Sequence, residues 1–258
     1  MNNRISQLQS INRLLDIMDD LRARCPWDKK QTFESLRHLT IEETYELGDA
    51  ILDKNLEEIK KELGDLLLHI VFYAKIGSET DAFDIGDVAE AISEKLIHRH
   101  PHIYGDVKAE DEETVKANWE QLKLKEGKKS VLEGVPKSLP ALVKASRIQD
   151  KVRAVGFDWE EPHQVLDKVV EELNELQVEL KNDNTNKIEA EFGDVLFSMI
   201  NYARFIGVNP EDALERTNKK FIKRFQYLEA KANEMGKSLK DITLAEMDVY
   251  WNESKLKD

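Results

Sequence analysis

Lys168-Val-Val-Glu171-Glu172-Leu-Asn-Glu175, completed by Glu191-Phe-Gly-Asp194, is the stretch whose reading decides the fold. On a helix, side chains three or four residues apart share a face, so Glu172 and Glu175 form one carboxylate pair and Glu191 and Asp194 another. Between them, Lys181-Asn-Asp-Asn-Thr-Asn186 has the composition of a loop. The inner positions 175 and 191 and the outer positions 172 and 194 are both centred on residue 183. An antiparallel helical hairpin therefore brings the four carboxylates face to face.

Two ionised carboxylates ~4 Å apart at an effective dielectric of ~20 repel by about 4 kcal/mol. Protons could relieve this through raised pKa values, but a cage of oxygens without Cys or His suits a hard divalent cation, Mg²⁺ or Mn²⁺. One Glu-x-x-Glu alone, in a chain that is 34% charged, reads as solvated surface. Repetition changes that reading. Glu42, Glu43, Glu46, Glu62 and Asp65 precede Glu171, Glu172, Glu175, Glu191 and Asp194 by a constant 129 residues, and the first set is centred on residue 54, in Asp53-Lys54-Asn55. Gly64 and Gly193 also correspond. A mid-helix glycine costs about 1 kcal/mol relative to alanine, so its recurrence predicts a close approach of backbone or ligand.

Over 258 residues, this repeat implies two domains. The net charge of −13 argues against binding a nucleic-acid polymer, and it requires any polyanionic ligand to be met by metal and local cations. Cys25 is the single cysteine, which fits a reducing compartment. The stretch Met1-Asn-Asn-Arg-Ile-Ser has no signal-peptide core, and no apolar run approaches ~20 residues. A soluble, cytoplasmic protein without membrane association is expected.

Helical periodicity covers 5–24, 34–52, 57–76, 84–99 and 112–125, with no convincing strand. Pro26 and Pro101 end the first and fourth segments. The stretch 126–136 interrupts periodicity, so the expected organisation is an N-terminal domain over 1–127, a linker over 128–137 and a C-terminal domain over 138–258. In the second copy a helix over 139–155 leads to Gly156-Phe-Asp-Trp159, an echo of Trp27-Asp28. Val165, Leu166, Val169, Val170, Leu173 and Leu176 are expected on one apolar face of the hairpin. Asn209-Pro210 opens a long helix, and Thr243-Leu-Ala-Glu246 is a capping box for the last. The fold class is all-α, a tandem repeat of two four- or five-helix bundles. A hairpin cannot bury both its apolar faces alone, which points to pairing with another bundle.

Lys220 and Arg224 stand at i, i+4, as Lys95 and Arg99 do in the first copy, and a phosphate chain is an anion that such a pair could share. Trp251 and Lys255 repeat the spacing of Trp119 and Lys123, so Trp251 is either core or a stacking surface for a base. There is no phosphate-binding glycine loop, since Leu122 stands where its first glycine would precede Gly127-Lys-Lys-Ser. No H-E-x-x-H occurs, and the second hairpin has no histidine beside its carboxylate pairs for a ferritin-like di-iron site. His69, matched by Ser198, reads as structural, and His98, His100 and His102 as a helix-ending turn.

The carboxylate motifs, with Cys25-Pro-Trp-Asp28, Gly134-Val-Pro136-x-x-Leu-Pro140-Ala-Leu, Val155-Gly-Phe-Asp-Trp159 and Asn218-x-Lys220-Phe-x-x-Arg224-Phe, closely resemble the MazG family over nearly the whole chain. These are all-α, Mg²⁺-dependent nucleoside triphosphate pyrophosphohydrolases. The resemblance implies two MazG-like bundles, hydrolysis of an NTP to the NMP and diphosphate, and a homodimer. It implies Glu172, Glu175, Glu191 and Asp194 as metal ligands, Lys168, Lys187, Lys220 and Arg224 as triphosphate contacts, and Trp251 as a nucleotide contact. Glu171 is the candidate to orient or deprotonate the attacking water. Glu43, Glu46, Glu62 and Asp65 would form a second metal site, but Leu39 and Glu58 replace Lys168 and Lys187 there, so the second copy is expected to carry most hydrolysis. A narrower dUTP- or dCTP-type pyrophosphatase and a non-catalytic nucleotide-sensing scaffold are the competing readings.

Overall fold

The computed structural model describes residues 3–105, 115 and 130–257. All regular structure among them is helical. The chain divides into two compact units, Met1–Trp119 and Glu120–Asp258. The helix expected over 112–125, with Trp119 and Lys123, lies outside the described residues apart from position 115.

In the first unit, α1 (Arg4–Arg24) leads through a short turn of 3-10 helix at Asp28–Lys30 into the hairpin of α2 (Phe33–Leu52) and α3 (Leu56–Ser78), followed by α4 (Ile85–Arg99). The second unit has α6 (Ala141–Arg153), the hairpin of α7 (Pro162–Asn182) and α8 (Thr185–Phe205), then α9 (Pro210–Glu234) and α10 (Leu244–Lys255). One further turn of helix, α5 (Pro101–Tyr104), forms where the sequence predicts only a stop. Proline there blocks continuation of α4 but is accommodated in the first turn of a new helix.

Polar side chains set the helix starts. Thr32 and Ser35 form a capping box on α2, Asn55 caps α3, Asn184 caps α8 and Asn209 caps α9 just before Pro210. Thr243 and Glu246 cap each other reciprocally on α10, as their spacing predicts. The hairpin tips are tighter than composition suggests. Asp183 and Asn184 alone join α7 to α8, because Asp183 takes a left-handed conformation at φ +52° and Asn184 at once begins the next helix. Lys54, at the equivalent tip, has φ +54°. Both sequence-predicted mirror points are thus the residues that reverse the chain.

Residues 130–137, expected as linker, are held to the second unit: Lys144 Nζ donates to Lys137 O at 2.7 Å, and the buried Lys151 Nζ to Val131 O at 3.1 Å. The first core gathers Met18, Leu36, Val71, Phe72 and Ile76, with Leu14, Leu15, Leu39 and Leu68 packed against it. In the second unit, the apolar face expected as one stripe on α7 is split. Val165 and Val169 are buried, whereas Leu166, Val170 and Leu173 are exposed, as are Phe192, Leu196 and Met199 on α8. These exposed positions lie about 100° round the helix from the buried ones, since each residue advances by that angle. The first hairpin repeats the pattern, with Ile41, Leu63 and Ile70 exposed at the positions of Val170, Phe192 and Met199.

The left-handed tip generates a prediction. A β-branched side chain is strained at positive φ, so Asp183→Val should destabilise the second unit by about 1–2 kcal/mol, while Asp183→Gly should change it by under about 1 kcal/mol. Urea unfolding followed by helical circular dichroism measures both, and equal effects would show that the tip is not held in this conformation.

Candidate functional site

The two hairpins each bring three carboxylates together. Glu172, Glu175 and Glu191 offer oxygens that all lie within 4.8 Å of one another, and Glu43, Glu46 and Glu62 do the same. Asp194 and Asp65 stand outside these closest sets but near enough to act electrostatically on Glu191 and Glu43. Burial, then the charges of Glu175, Asp194 and Glu172, push the Glu191 pKa up. Burial, then Asp65, Glu46 and Glu62, do the same to Glu43.

Glu191 Oε2 and Glu62 Oε2 are buried without a hydrogen-bond partner, and these are equivalent positions in the repeat. A buried unsatisfied carboxylate oxygen costs a charged group's desolvation. Oxygen-only donors, converging and left unpaired at their buried ends, fit a hard divalent cation. Glu172, Glu175, Glu191 and Asp194 would hold it in the second copy, and Glu43, Glu46, Glu62 and Asp65 in the first. At Gly193 and Gly64, where a close approach of backbone or ligand is expected, no other backbone comes near. Apart from the adjoining residues and the helix's own backbone, no described atom lies within 4 Å of a Cβ built at either, so open space remains beside each cluster.

Cations reach the clusters from different sides. Lys168 Nζ lies 2.8 Å from Glu172 and 3.0 Å from Glu171, and the hydrogen bond to Glu172 is the largest cause of its raised pKa. Leu39 stands at that position in the first copy. There, Lys61 on α3 pairs with Glu62 at 2.9 Å, so the first cluster has a cation of its own that the ungapped comparison of Lys168 and Lys187 does not reveal. Lys187 lies one turn from Glu191 and is paired across the hairpin with Glu179 at 3.3 Å. Lys220 and Arg224 lie on α9, where the Arg224 guanidinium sits 6.0 Å from the Trp251 ring and Phe221 stacks at a tilt 5.0 Å from it. No residue of α9 or α10 lines the cavity beside the second cluster.

That cavity, of about 310 Å³, is bounded by α6, α7, α8 and the turn before α7, and shares Lys168, Glu172 and Asp194 with the carboxylate cluster. Its polar wall includes Asp158, Asn201, Arg204 and Gln149. Arg204 Nη1 donates to Asp158 Oδ2 at 2.8 Å, and Arg204 Nη2 to Asn201 Oδ1 at 2.7 Å. Sequence reasoning noted Asp158-Trp159 as an echo and as part of a family motif without a site role, and missed Asn201 and Arg204. The available signal was two polar residues three apart in the otherwise apolar end of α8. His69 is buried in the first unit, its Nδ1 2.7 Å from Thr40 Oγ1, and its pKa is lowered by burial against the opposing charge of Asp65.

The profile of the MazG nucleotide pyrophosphohydrolase domain matches residues 31–104 and 160–228, which places one copy on each carboxylate hairpin. The chain belongs to the MazG family. It is 42% identical to the nucleoside triphosphate pyrophosphohydrolase of Escherichia coli (strain K12), covering 96% of this chain and 98% of that one. It is 44% identical to the nucleoside triphosphate pyrophosphohydrolase/pyrophosphatase MazG of Thermotoga maritima, over 94% of each. Among solved structures, a mazG-related protein from Thermotoga maritima aligns with 44% of this chain and 98% of its own at 26% identity and a TM-score of 0.39. No described helix is long and apolar enough to cross a membrane.

Because the folded pKa of Glu191 lies above its unfolded value, its contribution to stability is fully present below the ordinary carboxylate pKa. It is lost as pH rises through the raised value. In chelator, wild type should therefore lose stability relative to Glu191→Gln, which cannot ionise, as pH rises through that window. Denaturation midpoints across a pH series check this, and a constant gap would show that Glu191 titrates freely.

Proposed function

We propose that the second copy is a Mg²⁺-dependent nucleoside triphosphate pyrophosphohydrolase that cleaves a broad range of (d)NTPs to the NMP and diphosphate, Mn²⁺ being a substitute metal. The observation that carries this is the buried, unpartnered Glu191 oxygen in a converging carboxylate cluster beside Lys168, within a chain of the MazG family. The nucleoside triphosphate chemistry in the names of the relatives supports it.

A divalent cation, when bound, would neutralise triphosphate charge and polarise the α-phosphorus. The chain's own residues supply the rest. Lys168, now clasped by Glu171 and Glu172, is placed to exchange those partners for phosphate oxygens. That exchange would free Glu171, which is exposed, to orient the attacking water and take its proton. Water oxygen bonds to the α-phosphorus as the bond to the bridging oxygen breaks, and diphosphate leaves. Lys187, Lys220 and Arg224 are further triphosphate contacts in this reading, and Trp251 a nucleotide contact. The first copy, with Leu39 and Glu58 at the positions of Lys168 and Lys187, is structural or regulatory, within domains of 1–127 and 138–258. The exposed stripe of Leu166, Val170 and Phe192 supports a homodimer, since such a face gains by burial against a like surface.

Diphosphate release from a panel of NTPs and dNTPs, with and without Mg²⁺, tests the activity and its breadth; turnover confined to dUTP or dCTP would narrow the class, and none at all would leave the sensing scaffold. Glu172→Gln and Asp194→Asn should each lower turnover by at least ~10–100-fold with the helical fold intact, because losing even a group that supports a metal ligand costs that much. Glu43→Gln should cost far less. If it costs as much as Glu172→Gln, the assignment of hydrolysis to the second copy is wrong.

A further inference from the structure

We propose that His69 gives the first carboxylate cluster a nitrogen donor, and with it a preference for a borderline transition cation such as Zn²⁺ over Mg²⁺, on the reading that this cluster holds a divalent ion. Glu62, Asp65 and His69 are spaced i, i+3, i+7 on α3, which sets them on one stripe of that helix. Glu62 completes the closest set with Glu43 and Glu46, and its Oε2 is buried without a partner. Asp65 and His69 extend that set along α3. Asp65 acts electrostatically on Glu43 and on His69 alike, so it joins the glutamates to the imidazole. The second copy keeps the carboxylates of this stripe as Glu191 and Asp194 but has Ser198 at the position of His69. Ser198 Oγ is turned back onto its own helix, donating to Val195 O at 3.0 Å. One copy therefore offers oxygen alone, and the other offers oxygen with a nitrogen at the end of the row.

The surroundings of His69 are those a ligating histidine needs. The residue is buried, and Nδ1 lies 2.7 Å from Thr40 Oγ1. Thr40 Oγ1 also donates to Leu36 O at 3.1 Å and lies 2.7 Å from the Tyr73 hydroxyl. A hydroxyl has one proton and two lone pairs, so with its proton on Leu36 O it accepts from both Tyr73 and Nδ1–H. That tautomer leaves the ring's lone pair on Nε2, to which no described residue supplies a hydrogen bond. Burial favours the neutral ring, the form that binds metal. A lone pair near the Asp65 carboxylate is repelled by it, and a cation shared by the two reverses the sign of that interaction. Anchoring an imidazole through its other nitrogen fixes the ring and raises its basicity toward a metal. Tyr73 stacks on Phe33 with ring centres 5.8 Å apart, so the anchor is itself held by packing. Imidazole nitrogen suits Zn²⁺ and its neighbours, whereas Mg²⁺ keeps to oxygen and water.

The test uses the full chain with the second cluster disabled by Glu172→Gln and Glu175→Gln, so that bound metal reports on the first. Co²⁺ stands in for Zn²⁺ because it is paramagnetic. At saturation it should produce an exchangeable imidazole N–H proton resonance shifted far from the diamagnetic range, arising from Nδ1–H of a ring ligated through Nε2. The mirror protein, with Glu43→Gln and Glu46→Gln, should show no such resonance and a smaller ratio of Co²⁺ to Mg²⁺ affinity. His69→Ser, which installs the second copy's residue, should remove the resonance and weaken Co²⁺ by at least about tenfold, while Mg²⁺ affinity measured by calorimetry stays within about twofold. His69→Gln, which keeps a polar side chain beside Thr40, serves if the smaller residue prevents folding. Absence of the resonance in the chain that retains His69 would overturn the assignment without any variant at 69. Unchanged Co²⁺ affinity in a folded variant would overturn it too, as would parallel loss of both cations, which would mark His69 as structural. If neither cation binds the chain whose first cluster is intact, the reading of that cluster as a cation site fails, and the role of His69 with it.

Discussion

Mutual repulsion among carboxylates that the hairpin forces together is the constraint from which the rest of each unit follows. Several acidic groups within 4.8 Å of one another, partly out of water, cannot all be ionised without compensation. Burial and neighbouring charge raise the pKa of Glu191 in one copy and Glu43 in the other. Each copy brings one lysine to bear, but from opposite arms of the hairpin. Lys168 acts from the first arm on Glu172, and Lys61 from the second arm on Glu62. In each case the clasped carboxylate is the most buried of its cluster, at 7% exposure for Glu172 and 3% for Glu62. The cation therefore goes where a lone charge would cost most.

Those two solutions leave different surroundings. A lysine at 168 lies at the boundary of the cluster and a cavity. Leu39 in its place joins the packed core around Met18, and Lys61 sits on the outer side of its cluster, largely exposed. Phe72, at the position of Asn201, likewise belongs to that core. The same hairpin position thus carries an apolar residue packed in a core in one copy and a charged residue paired with carboxylates in the other.

How much of this was legible in the sequence depended on whether a feature was periodic. The carboxylate hairpins, their mirror points at 54 and 183, and the caps at Asn209 and Thr243 follow from local spacing, and local hydrogen bonding enforces them. The second apolar stripe was harder, because Val165 and Leu166 look alike in composition and only packing separates the buried one from the exposed one. Gly193 was legible only in part for a related reason: its recurrence signalled space, but sequence could not choose between an approaching backbone and an approaching ligand, and packing leaves the position clear of other backbone. Lys61 escaped an offset comparison because it does the work of Lys168 from a position with no cation in the other copy, where Ala190 stands.

The cavity wall was the least legible feature, since it joins residues from three segments that no single period relates. Asp158 lies 46 residues from Arg204, and Gln149 lies 48 from Phe197, yet each pair is joined by a hydrogen bond. Contacts of this kind are set by how α6 crosses the hairpin, and that crossing is itself fixed by the apolar residues buried beneath it. The polar wall is therefore a consequence of the core: Val165 at the base of α7, fully buried, sets the floor above which Lys168, one turn on, can face both the cavity and the carboxylates. Three residues of helix, a rise of about 4.5 Å, separate the buried Val165 from the lysine that clasps Glu172. Spacing that short lets the buried apolar residues of one helix face fix where the charged side chains of the next face stand.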